Sequence, residues 1–184
     1  FKRDEPMYRQ WLQQIVAIDS GARTGISQQM AAQAYLELGR LDAQAARQIA
    51  LSAPIAQQLP QRRVKTEAAI TALLRAAQQG DATITTAATY EIGAIYQDLG
   101  LALLRSQRPT ALSAEAREQY EILLEEQADP FERKAIEAHE ANLGRIKQGL
   151  WDDAIHRSAT ALVELAPALY GKHELREDRY AELP

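Results

Sequence analysis

The chain has 184 residues, no cysteine, and 25 acidic against 21 basic side chains, for a formal net charge of −4. That length suits one core or one short solenoid better than two independent domains, and the lack of cysteine excludes a disulfide frame and a thiolate metal site. No run approaches the roughly 18 apolar residues of a membrane span, and the scattered basic residues lack the interleaved aromatics of a nucleic-acid surface.

The prediction is all-α, with about seven helices. Ala, Leu, Gln and Glu dominate, and no alternating Val, Ile or Thr run is long enough for a sheet. Asp4, Glu5 and Pro6 start the first helix, whose Met7, Trp11, Ile15 and Ile18 recur on one face, expected inward, as far as Gly21. Ser27 is expected to cap a second helix in which Met30, Ala34 and Leu38 share a face before Gly39 stops it. A third helix follows over 42–52. Pro54 and Pro60 bracket a loop, and a fourth helix spans 63–79, ending at Gly80.

The run DATITTAAT starts with a helix cap at Asp81 and leads into YEIGAIY, so it reads as the opening of a fifth helix over 83–106 rather than a strand. Its Ile84, Ala88, Ile92, Ile95, Leu99, Ala102 and Leu103 point to the core. Ser113 caps a sixth helix with Tyr120, Leu123 and Leu124 on its apolar side. Asp129-Pro130-Phe131-Glu132 is then either a helix restart with a capping box or a proline kink in one long rod. The next helix runs to Gln148 and the last from Trp151 or Asp152 to Leu165. Residues 1–170 read as one domain and 171–184 as a charged tail; a start at Phe1 rather than Met is expected of a piece of a longer protein.

Most informative is 142–167, NLGRIKQGLWDDAIHRSATALVELAP. Gly149 ends one helix, Trp151 opens the next, and Ala154, Ser158 and Ala161 follow at helical spacing before Pro167 closes the unit. Small residues let two antiparallel helices approach, and Trp151 is expected to fill the wedge beside the turn. This layout resembles the tetratricopeptide repeat. A partial second copy gives Gly93 the small position and Tyr96 the aromatic one, followed by Gly100, and a degenerate third gives Tyr35, Gly39 and Pro54. The alternative is a plain helical bundle without repeat ancestry.

Three runs, YEIGAIYQDLGLALLRSQRP, LSAEAREQYEILLEEQADPFERKAIEAHEANLGRIKQGLWDDAI and ELAPALY, resemble the C-terminal region of large tetratricopeptide proteins of the Gram-negative cell envelope. That resemblance implies antiparallel helix pairs stacked as a short solenoid with some long, irregular helices. It also implies a periplasmic or outer-membrane-associated setting, and a scaffold role beside envelope machines such as gliding-motility and energy-transducing transport systems. It carries over no catalytic residue. The repeat pattern implies that Tyr90, Gln97, Asp98, His139 and Lys147 project toward a protein or peptide partner, while Gly93, Tyr96, Trp151, Ala154 and Ala161 set the helix contacts.

Chemistry has few anchors. His139-Glu140 would suit a zinc helix only with a second His at 143, where Leu stands. Asp153 and His156, with Glu137 or Glu140, supply one half of a di-metal carboxylate pattern; the competing reading pairs His156 with Asp152 on the helix surface. No Gly-x-Ser-x-Gly elbow or phosphate loop occurs. Trp11, Tyr35, Tyr90, Tyr96, Tyr120, Trp151 and Tyr170 read as gap fillers between helices. Residues 1–80 carry a net +4 and residues 81–184 a net −8, with 115–140 forming a solvated acidic face. The expectation is a non-catalytic interaction scaffold with no cofactor and no metal. Its rivals are a carboxylate-bridged metal enzyme on a helical bundle and a purely architectural solenoid cap.

Overall fold

The computed structural model describes residues 4–22, 24–52 and 55–171. Among them the chain forms seven α-helices and one 3-10 turn, with no strand: α1 Glu5–Ala22, α2 Gly25–Arg47, α3 Ile55–Ala77, α4 Ala82–Leu104, α5 Ala114–Gly144, the turn Arg145–Gln148, α6 Asp153–Leu165 and α7 Pro167–Tyr170. The fold is all-α. Each helix packs on the next, α2 also touches α4, and α4 touches α6. Among the described residues no Cα atom of α1, α3 or α5 comes within 8 Å of one in another of these three, so α2, α4 and α6 form the continuous spine of the packing.

Local chemistry explains most of the boundaries. Asp81 accepts a hydrogen bond from the Ile84 amide, Ser113 from Ala116 and Asp152 from Ile155, each satisfying an orphan donor in the first helical turn. The second helix is capped by Thr24, not Ser27. Ser27 is the reciprocal partner at the third helical position, its amide bonding to Thr24 Oγ1 and its hydroxyl oxygen accepting from the Thr24 amide. Gly149 leaves the 3-10 turn at φ 81°, a left-handed conformation that a side chain would strain.

Two expected breaks are absent, and of the two readings left open at Pro130 the single long helix is the one found. Gly39 does not end a helix: it lies inside α2, where α3 crosses, and a methyl group there would fall 2.6 Å from Leu73 Cγ and 3.2 Å from the Ala69 carbonyl oxygen. The helices expected over 27–39 and 42–52 are therefore largely one helix. Pro60 does not close a loop but sits in the second turn of α3, where its missing N–H breaks one bond near the helix start; Pro54 lies outside the described residues, as does the tail from 172. Pro130 lies within α5, a helix of 31 residues that runs unbroken past it.

The core follows from these crossings. Leu36, Ala43, Ala69, Leu73, Ala76, Ala88 and Ile95 join α2, α3 and α4. Leu12, Ala34 and Leu38 join α1 to α2, and Leu51, Leu103 and Ala128 join the α2–α3 loop to α4 and α5. Fully burying a Leu or Ile in these clusters contributes about 1.5–3 kcal/mol. The first helix is rotated from the expected face: Leu12 is buried and Ile15 half-buried, whereas Met7, Trp11 and Ile18 are exposed, as is Met30 on α2. Trp151 is also misplaced by the repeat pattern, being 63 % exposed, with its ring edge-on to His156 at 6.3 Å. The fully enclosed apolar residues of α6 are instead Ile155 and Leu162.

Candidate functional site

Where α4, α5 and α6 meet, four fully buried polar residues bond to one another. His139 and Asn142 lie one turn apart on α5, Ser158 on α6 and Thr86 on α4. Asn142 Nδ2 donates to Ser158 Oγ at 2.9 Å and to the Thr86 carbonyl at 3.0 Å, and His139 Nδ1 lies 3.2 Å from Ser158 Oγ. Thr86 in turn donates to Asp152, the cap of α6, and Arg145 donates to Asn142 Oδ1 at 2.7 Å. These bonds fix the register of three helices, because a buried polar group left without a partner costs about 1–3 kcal/mol.

The His139 ring packs against Gly93, where a Cβ would come within 2.5 Å of it, and against Tyr90 at 5.6 Å between centroids. Its Nε2 has no partner among the described residues. Desolvation drives the imidazole pKa down to about 4, so at neutral pH it is uncharged. Ser158 and His139 form a hydroxyl–imidazole pair, but neither exposes any surface, so in this geometry no substrate reaches it. The cluster is a structural joint.

An accessible site lies beside α4, further along the same helix. Because α3 and α5 both pack on α4 with their backbones apart, a groove of about 380 Å³ remains between them. Tyr96 and Leu99 of α4 form its floor, with Ile70 of α3 and Phe131 of α5 as apolar walls. Tyr96 stacks on Phe131 at 6.5 Å, and Lys134 Nζ sits 5.4 Å from the Tyr96 ring centroid, a cation–π contact. Burial, and secondarily the Glu137 carboxylate, hold the Tyr96 phenol above its ordinary pKa.

The rim carries Arg63 and Glu67 on α3 and Glu126 and Lys134 on α5. Among the described residues Arg63, Glu67 and Glu126 form no ion pair. Thr66, only 5 % exposed, lines the groove with its hydroxyl unbonded to any described residue. Pro130 lines it too, and since proline has no N–H, the Glu126 carbonyl one turn earlier lacks its helical donor.

The five residues expected to face a partner do not converge. His139 is buried, contrary to expectation, because it is needed at the joint. Asp98 is committed within the chain: its carboxylate takes a 2.6 Å bond from the buried guanidinium of Arg62, which also donates to the Ile49 carbonyl, and Arg47 lies 3.9 Å away. Tyr90 is half-buried beneath the Arg157 guanidinium at 4.3 Å. Gln97 lines a separate small cleft beside Gly100 and Leu165, and Lys147 is exposed on the 3-10 turn. Of the packing residues, Gly93, Ala154 and Ala161 are buried at helix contacts, and Tyr96 is half-buried in the groove.

The surface pairing of His156 with Asp152 does not form: Asp152 bonds the Ile155 amide and Thr86, while Asp153 pairs with Arg157 at 3.0 Å. Among the described residues no three His, Cys, Asp or Glu side chains converge as metal donors would, and no helix is long and apolar enough to cross a membrane. Glu140 accepts a hydrogen bond from Tyr170, which ties α7 back to α5. Comparison with protein-family models, curated proteins and solved structures returns no match to this chain.

Proposed function

We propose that this chain is a non-catalytic protein–protein interaction scaffold, a short tetratricopeptide-like solenoid whose working surface is the α3–α5 groove. The observation that carries the reading is the groove itself: an aromatic floor with unpaired rim charges, left open because α3 and α5 share α4 with their backbones apart. Aromatic side chains within a charged rim are the usual anatomy of a peptide-binding surface. The alternating packing, with α2, α4 and α6 in contact and the backbones of α1, α3 and α5 apart, supports a stacked arrangement of helix pairs. The setting, beside a bacterial envelope assembly, rests on the resemblance over residues 87–170.

Site-specific photo-crosslinking in the native cell tests this proposal. A photoreactive residue replacing Gln127, on the groove wall, is expected to yield a discrete adduct with another protein, and one replacing Lys147 is not. Adducts from Lys147 but not Gln127 move the working surface; none from any exposed position removes the scaffold reading.

A further inference from the structure

We infer that the α3–α5 groove takes an extended peptide segment carrying one large apolar side chain flanked by charges of both signs. This rests on the scaffold reading and names the partner. Three observations carry it.

First, the residues lining the groove include polar groups that lack their usual partners among the described residues. The Glu126 carbonyl lacks its ordinary helical donor, because Pro130, four residues on, has no N–H. The Thr66 hydroxyl, on a side chain that lines the groove, has no partner among the described residues, and the Tyr96 hydroxyl has none either. Such groups bond to peptide N–H and C=O groups. An extended segment has these free, whereas a helix has spent them internally. An extended occupant therefore fits, and a docking helix does not.

Second, the apolar surface is small and local. The floor and walls, Tyr96, Leu99, Phe131 and Ile70, enclose room for one anchor side chain rather than the stripe of several that an amphipathic helix presents. Third, each wall contributes one cation and one anion: Arg63 and Glu67 on α3, Lys134 and Glu126 on α5. A balanced rim of this kind favours a partner bearing both signs over a polyanion or a basic tract.

The test pans a phage-displayed library of random linear peptides, about twelve residues long, against the full chain, and measures enriched sequences by fluorescence anisotropy. Enrichment of one Leu, Ile, Phe or Trp between acidic and basic residues is expected. Thr66→Val keeps the side-chain shape and removes the hydroxyl, and should weaken those peptides about five-fold, one hydrogen bond's worth. Pro130→Ala restores the N–H, so it should raise thermal stability yet weaken binding by a similar factor, a combination that a proline with only a structural role would not produce. Backbone N-methylation beside the anchor should weaken binding in the same way.

Equal binding by Thr66→Val and Pro130→Ala, tighter binding of a helix-stapled peptide, or no enrichment each overturns the inference. Peptides that enrich but ignore both substitutions still leave the scaffold reading standing. Only the crosslinking result above removes that.

Discussion

Gly93 and His139 are in contact at a point where no other residue fits: a methyl group at position 93 would meet His139 Cε1 at 2.5 Å and Nε2 at 2.6 Å. The imidazole is fully buried and held through Ser158, so it cannot swing away. Gly93→Ala is therefore expected to destabilise the chain by about 1–3 kcal/mol, the usual cost of overpacking, despite alanine's better helix propensity. Pairing it with His139→Ser should recover part of the loss, and urea denaturation of the four chains of the double-mutant cycle measures the coupling. Additive losses would mean that the two residues do not share this space.

The same histidine makes stability depend on pH. Its folded-state pKa is about 4, below the ordinary 6.5, so between these values the unfolded chain binds a proton that the folded chain does not. Its contribution is complete above pH 6.5 and lost as pH falls toward 4, and a shift of that size is worth about 3 kcal/mol. His139→Asn should lower stability at pH 7 and flatten the slope between pH 4 and 6.5 in denaturant titrations. An unchanged slope would assign the acid sensitivity to other groups.

Arg62 is 5 % exposed and held by the half-exposed Asp98 carboxylate and the Ile49 carbonyl. Asp98→Asn leaves that guanidinium without its counter-charge and is expected to cost about 2 kcal/mol, below the loss for a fully buried pair because Asp98 reaches solvent. Arg62→Met, which removes the buried charge instead of orphaning it, should be the milder change. Thermal unfolding that ranks the two in the opposite order would refute this assignment.

Both tryptophans lie toward solvent, Trp11 at 54 % and Trp151 at 63 % exposure. Intrinsic fluorescence of the folded chain should be red-shifted and readily quenched by iodide, and Trp151→Ala should change stability by no more than about 0.5 kcal/mol. By contrast, Ala154→Leu, at a buried crossing of α6, should cost about 1–3 kcal/mol. A blue-shifted, quencher-resistant spectrum would return the indole to the wedge between helices.

Local signals were legible in the sequence and contacts between distant segments were not. Asp81, Ser113 and Asp152 are short polar residues ahead of helical patterns, and each caps a helix through its own side chain. Gly39 misleads because glycine serves equally at a helix end and at a close crossing, and only Leu73, 34 residues away on α3, decides between them. Trp151 misleads for a related reason: the repeat pattern assigns it an inward place, whereas the apolar residues fully buried on α6 are Ile155 and Leu162. The polar joint left only a weak trace, His139 and Asn142 one turn apart on α5 and Ser158 between two small residues on α6. The groove left none, since it depends on α3 and α5 staying apart over α4.

The most direct test of the account is amide chemical-shift mapping of the full chain as its crosslinked partner is titrated in. The account predicts that signals from Thr66, Tyr96, Phe131 and Lys134 move together while those of Tyr90 and Lys147 stay in place. Shifts centred on Tyr90 and Lys147, with the groove silent, would contradict it.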